Sequence, residues 1–202
     1  IYADAELPAF CKYIDRWLLR ETIGRVVNSE NRRHVFVLNI SEASLADPSL
    51  FNWLRKALTG LDACRPGKYI ALEVAAADFM AEKKKTAALM NYLKGSHGFR
   101  FVLGDFKTAD ELKSLTASDG FHLLRMHAEL FSQIRVGPAE GVASALQLLK
   151  EAGAEIIVDD IKDATALTDA IAGGASYAMG IFIGEPVRTL DQTSNVESFE
   201  IA

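Results

Sequence analysis

Short apolar runs in this chain end in side chains that can hold a cation, a phosphate or a proton. Asn39 lies near the end of HVFVLNI, Glu73 inside YIALEVA, Asp105 near the end of FRFVLGDF, Arg125 inside GFHLLRM, and Asp159 and Asp160 near the end of EIIVDDI. Carboxylates and an amide gathered at one mouth suit hard, oxygen-loving cations and phosphate chemistry. A guanidinium adds a planar, permanently charged fork for phosphate or carboxylate. Each residue also has a structural reading. A strand-end acid can cap a helix or pair with a lysine, most readily Asp159 and Asp160, and Asn39 can tie backbone together as a buried amide.

These groups need elements that bring their strand ends together. The runs at 34–40, 69–75, 99–106, 120–126, 155–161 and 177–183 are rich in β-branched or aromatic residues, as buried parallel strands are. Helix-period segments separate them. Residues 8–27 carry an apolar face at Phe10, Tyr13, Ile14, Trp17, Leu18 and Ile23. Asp47 and Pro48 read as an N-cap and first helical position for a helix through Leu58. Lys83-Lys84-Lys85 opens a helix to about Lys94, its charges a solvated face; further helices span 109–115, 127–134, 140–152 (closed by Gly153) and 164–172. Polar residues 28–33, Pro66-Gly67, Gly95 to Gly98, Gly137-Pro138 and Gly173-Gly174 punctuate the pattern, and the tail after Pro186 is polar. Strand and helix alternate throughout, which predicts βαβ units and a parallel sheet. Six strands fit an open doubly wound sheet or a barrel lacking its first strands. No G-x-G-x-x-G follows the first strand and no phosphate loop occurs.

Composition narrows the partners. The chain has 202 residues, enough for one domain with a proper core. A net charge of −5 with scattered Lys and Arg offers no basic stripe, which excludes a nucleic-acid polymer as partner. No apolar run is long enough to span a membrane, and the start has no signal-peptide pattern. Cys11 and Cys64, without metal-like spacing, read as free buried thiols of a cytoplasmic protein. Because the chain starts at Ile1 and runs almost directly into a helix, it reads as a piece of something longer.

Taken in order, the segments resemble the EAL domain, a barrel family that hydrolyses or binds cyclic di-GMP. IDRWLL at 14–19 resembles the family's helix before its VNLS strand, LNIS at 38–41 that strand, and SLADPSLFNWL the helix after it. LEVAA at 72–76 resembles LEITE, LGDFKT at 103–108 LDDFGT, LLRMHAELF at 123–131 LKIDrsF, VDDIKD at 158–163 AEGVET, and MGIFIGEP at 179–186 QGYlfskP. The resemblance spans residues 5–186. It implies an α/β fold, a TIM-like (β/α) barrel over 1–190 whose N-terminal strands, the E-A-L strand among them, are missing from this chain, followed by a polar tail over 191–202. An unclosed barrel exposes two edges, so those strands are expected upstream in the parent protein, or another segment is expected to cover the gap.

The family's hydrolysis resembles two-metal phosphodiester cleavage, and by resemblance Asn39 and Glu73 keep metal-ligand positions. Elsewhere this chain departs. The bridging first aspartate of DDF is Gly104, leaving Asp105; the lysine beside the attacking water is Arg125, and the aspartate two residues on is His127. The second glutamate of LEITE is Ala76, the AEGVE glutamates are Asp159 and Lys162, a glutamine is Ala166, and the polar pair around Gly180 is Met179 and Ile181. Losing negative oxygens lowers divalent-metal affinity, so a dinuclear centre, and hydrolysis with it, is expected to be lost, leaving no cofactor. The resemblance then implies a catalytically inactive cyclic di-GMP receptor in bacterial signalling, of the kind found in type IV pilus regulators, with Asn39, Glu73, Asp105, Arg125, Asp159 and Pro186 as ligand contacts. The alternative is a protein-interaction scaffold that has lost the nucleotide; residual phosphodiesterase activity ranks third. Partners implied are cyclic di-GMP, another protein or other domains of the parent chain, and a second copy pairing through barrel helices.

Overall fold

The computed structural model describes residues 7–28, 34–61, 64–108, 110–116, 119–136 and 142–185. The punctuation expected at Gly137-Pro138, most of the polar break at 28–33, and everything from Pro186 onward lie outside the described residues.

Six strands form one parallel sheet in strict chain order: β1 (Phe36–Asn39), β2 (Ile70–Ala75), β3 (Arg100–Gly104), β4 (Leu123–His127), β5 (Glu155–Asp159) and β6 (Tyr177–Ala178). The sheet curls into a partial barrel, which settles the choice between open sheet and barrel. Around it lie α1 (Leu7–Asn28), α2 (Glu42–Ala46), α3 (Ser49–Leu58), α4 (Ala76–Ala81), α5 (Lys83–His97), α6 (Asp110–Lys113), α7 (Ala128–Val136), α8 (Val142–Glu151) and α9 (Ala164–Ala172).

Both faces of the sheet are packed, which explains why the strands read as continuous apolar runs. Ile70, Leu72, Val74, Phe101, Leu103, Leu124, Ile156 and Val158 face the helices and join one large core. Alternate residues point the other way, and Ala71, Val102, Leu123 and Ile157 form a separate small cluster inside the barrel. The register pairs Asn39 with Glu73 and His127 with Asp159, so the polar ends of β1, β2, β4 and β5 stand on the inner face above this plug. The inner-face residues of the two edge strands, Val37 and Tyr177, remain 44% and 47% exposed.

Several local expectations are corrected. On α1 the buried face is Asp15, Leu19, Thr22, Ile23 and Val26, while Phe10, Tyr13 and Trp17 are exposed. The helix is apolar on more than one side, and a polar anchor chooses the side: Asp15 accepts hydrogen bonds from the Ser41 amide (2.9 Å), Ser41 Oγ (2.6 Å) and Ser44 Oγ (2.6 Å). Pro48 takes the cap position of α3, and Asp47 accepts from the Ser49 amide at 2.9 Å, so the capping acid sits one residue further out. β4 starts later than expected and ends at His127, which was expected to be helical. β6 is only two residues long, shorter than the expected run at 177–183, and just beyond it Gly180 (φ 152°) lies so close to the Ile161 backbone that a Cβ would overlap it. Helices α2 and α4 were not expected, the turn expected at Pro66-Gly67 is a 3-10 turn that extends to Tyr69, and α5 continues through Gly95 to His97. Cys11 and Cys64 are free but half-buried rather than buried. Among the described residues no helix is long and apolar enough to cross a membrane.

Candidate functional site

Asn39, Glu73, Asp105, Arg125 and Asp159 line one cleft of about 320 Å³ at the C-terminal ends of the strands, together with Ile40, Ala75, Phe106, Met126 and His127. Strand alternation explains the convergence, since Arg125 and His127 lie two apart on β4 and share a face. Pro186, the remaining expected contact, lies outside the described residues. Asp160 is absent from the lining.

Arg125 organises the cleft. Its Nη1 donates to Glu73 Oε2 and its Nε to Asp159 Oδ2, each at 2.7 Å. Glu73 and Asp159 are each 6% exposed, so the guanidinium joins two carboxylates almost closed to water. Burial pushes the Glu73 carboxyl up, Arg125 pulls it back, and Asp159 and Asp105 push it up again; the balance lies above the usual carboxylate range. For Arg125, burial works against the charge, but the bonds to Asp159 and Glu73 outweigh it and hold the group protonated. His127 Nδ1 lies 2.7 Å from Asp159 Oδ1, an ion pair when the ring is protonated. The angle falls short of a hydrogen bond, and Asp159 Oδ1 accepts none.

Gly104 is central to this arrangement. A Cβ placed there would overlap Glu73 Oε1 and stand 3.1 Å from its Cδ, so the Glu73 carboxylate occupies the room that a side chain at 104 would need. Missing side chain and Arg125 ion pair are therefore two aspects of one packing solution.

The two Asp-x-Lys segments after β3 and β5 behave alike. Asp105 and Asp160 take left-handed backbone at φ 55° and 59°, the following Phe106 and Ile161 are buried, and each acid pairs with the lysine two residues on, Lys107 and Lys162. These acids are half-exposed, so their pairs are screened by water. Beyond β6, Met179 and Ile181 are 46% and 69% exposed, and the Met179 carbonyl accepts from the Ile161 amide; neither residue lines the cleft. Among the described residues no three His, Cys, Asp or Glu side chains are grouped to hold a metal ion.

Two contributors were not singled out from the sequence as parts of the site. His127 could have been found from its i, i+2 spacing to Arg125 on one strand. Asp15, which anchors Ser41 two residues beyond Asn39, lies in another element, and no local signal points to it.

The sequence profile of the EAL domain matches residues 1–186. A search of curated proteins finds no match. Among solved structures, the FimX EAL domain from Pseudomonas aeruginosa bound to c-di-GMP is similar with a TM-score of 0.68 and 23% identity, covering 93% of this chain and 75% of that one. The Xanthomonas citri FimX EAL domain in complex with c-diGMP gives 0.67 at 17% identity, covering 90% and 72%. The EAL domain of Mycobacterium smegmatis DcpA gives 0.69 at 17%, covering 87% and 80%. With the profile spanning nearly all described residues and the strand-end cleft in the same fold, the chain belongs to the EAL domain family.

Proposed function

We propose that this chain is a non-hydrolytic EAL domain that binds cyclic di-GMP without metal and passes the signal on. The observation that carries this reading is Arg125 bridging Glu73 and Asp159 over Gly104. The residues present do not fit a pair of divalent ions. Glu73 lies across the room left at Gly104, and one guanidinium already pairs with both buried carboxylates that a metal would have to recruit. A fixed internal cation can hold the acids together, yet it offers no Lewis acid and no activated water. What remains suits recognition: a cleft of about 320 Å³, the Asn39 amide, the exposed His127 imidazole, and the apolar side chains of Ile40, Phe106 and Met126 in the lining. The two FimX structures contain c-di-GMP, which supports the same ligand here.

A second reading, a scaffold that no longer takes the nucleotide, is favoured by one observation. Arg125 is engaged by two carboxylates, so a phosphate must displace Glu73 or Asp159 to reach it. Calorimetric titration with cyclic di-GMP in Mg²⁺ and again in EDTA decides between the readings. Equal, micromolar or tighter binding in both buffers supports the receptor; no heat and no thermal protection supports the scaffold. Turnover to the linear dinucleotide in Mg²⁺ overturns both.

A further inference from the structure

Away from the strand-end cleft, α1 and α3 enclose a shallow groove of about 410 Å³ lined by Arg20, Ile23, Trp53, Lys56 and Ala57. Both walls are described elements. Ile23 and Ala57 supply an apolar floor, and Trp53 is half-buried with the guanidinium carbons of Arg16 and Arg20 at 5.8 and 5.9 Å from its ring. Arg16 is engaged, donating to Asp47 (3.0 Å) and Ser49 (2.7 Å). Arg20 and Lys56 have no carboxylate partner among the described residues. Elsewhere on α1, Trp17 is 49% exposed and Tyr13 67%.

On a chain of net charge −5, an aromatic groove edged by two cations that have no carboxylate partner among the described residues is a local reversal of sign. A tryptophan already stacked by guanidinium is stiffened and still presents its edge and outer face, and such aromatic and arginine groups dominate protein recognition. The chemistry that complements it is a bulky apolar side chain for Trp53, Ile23 and Ala57, flanked by carboxylates for Arg20 and Lys56. We propose that the α1/α3 groove docks an acidic amphipathic segment of a partner protein, as a helix laid in a groove. The site is physically separate from the Arg125 cleft, so the proposal stands whether or not the nucleotide binds.

The chain contains two tryptophans, Trp53 in the groove and the exposed Trp17 three residues before Arg20 on α1, so intrinsic fluorescence reports on this region. The probe is a synthetic amphipathic peptide with a Leu/Phe face and a Glu face, compared with the same peptide bearing Lys for every Glu. The whole chain is expected to show a saturable emission change with the Glu peptide only, weakening by about tenfold as salt is raised from low to high. Arg20→Glu with Lys56→Glu, two exposed substitutions checked for folding by circular dichroism, is expected to weaken binding by at least about tenfold. Trp53→Leu, with Trp17 as the remaining reporter, is expected to weaken it as well. The proposal is overturned if the Lys peptide binds as well, if the charge-reversed chain binds unchanged, or if the peptide gives no response while sedimentation shows the face occupied by a second copy.

Discussion

Replacing Arg125 by methionine keeps an unbranched apolar stem and removes the one charge that Glu73 and Asp159 share. Both acids are 6% exposed, whereas the Arg125 side chain is 29% exposed, so water can repair part of the loss. Removing one member of a buried ion pair costs about 3–5 kcal/mol, and the partial access places this site at the lower end, about 3 kcal/mol. For a domain of this size that corresponds to a fall in Tm of about 6–12 °C. The loss depends on pH with a defined sign. Glu73 is already raised above the usual carboxylate range by burial, and Arg125 is what pulls it back. Without Arg125 the native state binds a proton more readily than the unfolded chain, so stability falls as pH rises through that window. The penalty is therefore full at about pH 8 and smaller at about pH 5. Urea unfolding of parent and variant at both pH values measures it. A difference under about 1 kcal/mol at the higher pH, or one that does not change with pH, refutes the idea that the shared Arg125 charge stabilises these two acids.

Gly104→Asp restores a carboxylate but collides with Glu73, so it is expected to cost about 1–3 kcal/mol from overpacking and displaced charge; thermal melts with and without Mg²⁺ or Mn²⁺ check it, and a metal-dependent rise in Tm would contradict the packing argument. Asp15→Ala removes the acceptor shared by the Ser41 amide and the Ser41 and Ser44 hydroxyls and is expected to cost about 2–3 kcal/mol, with Asp15→Asn in between, read by equilibrium unfolding.

What could be read from the sequence and what could not divide along a physical line. Apolar runs separated by helix-period segments identify a parallel sheet, because burial on both faces leaves a strong local imprint at 70–75, 100–104 and 155–159. The same imprint brings Asn39, Glu73, Asp105, Arg125 and Asp159 to one mouth. Pairing partners are not local. Nothing near Glu73 says that it will bend over Gly104 toward Arg125, since that depends on room made in another strand. The side of α1 that turns inward is set by Asp15 meeting Ser41 across the fold, so periodicity alone selected the wrong aromatic stripe. Helices as short as α2 and α4 carry too few turns for any period to show.

Every strand of the sheet hydrogen-bonds only to the strand immediately before or after it in the chain. Such a ladder is laid down like courses of brick, each resting on the last, with no late strand threaded between two early ones. Whole strand-helix units can then be gained or shed at either rim while the interior courses keep their bonds, much as in a repeat protein whose stability is a sum over neighbours. Arg125 stands on β4, in the interior of that ladder, with pairing on both flanks.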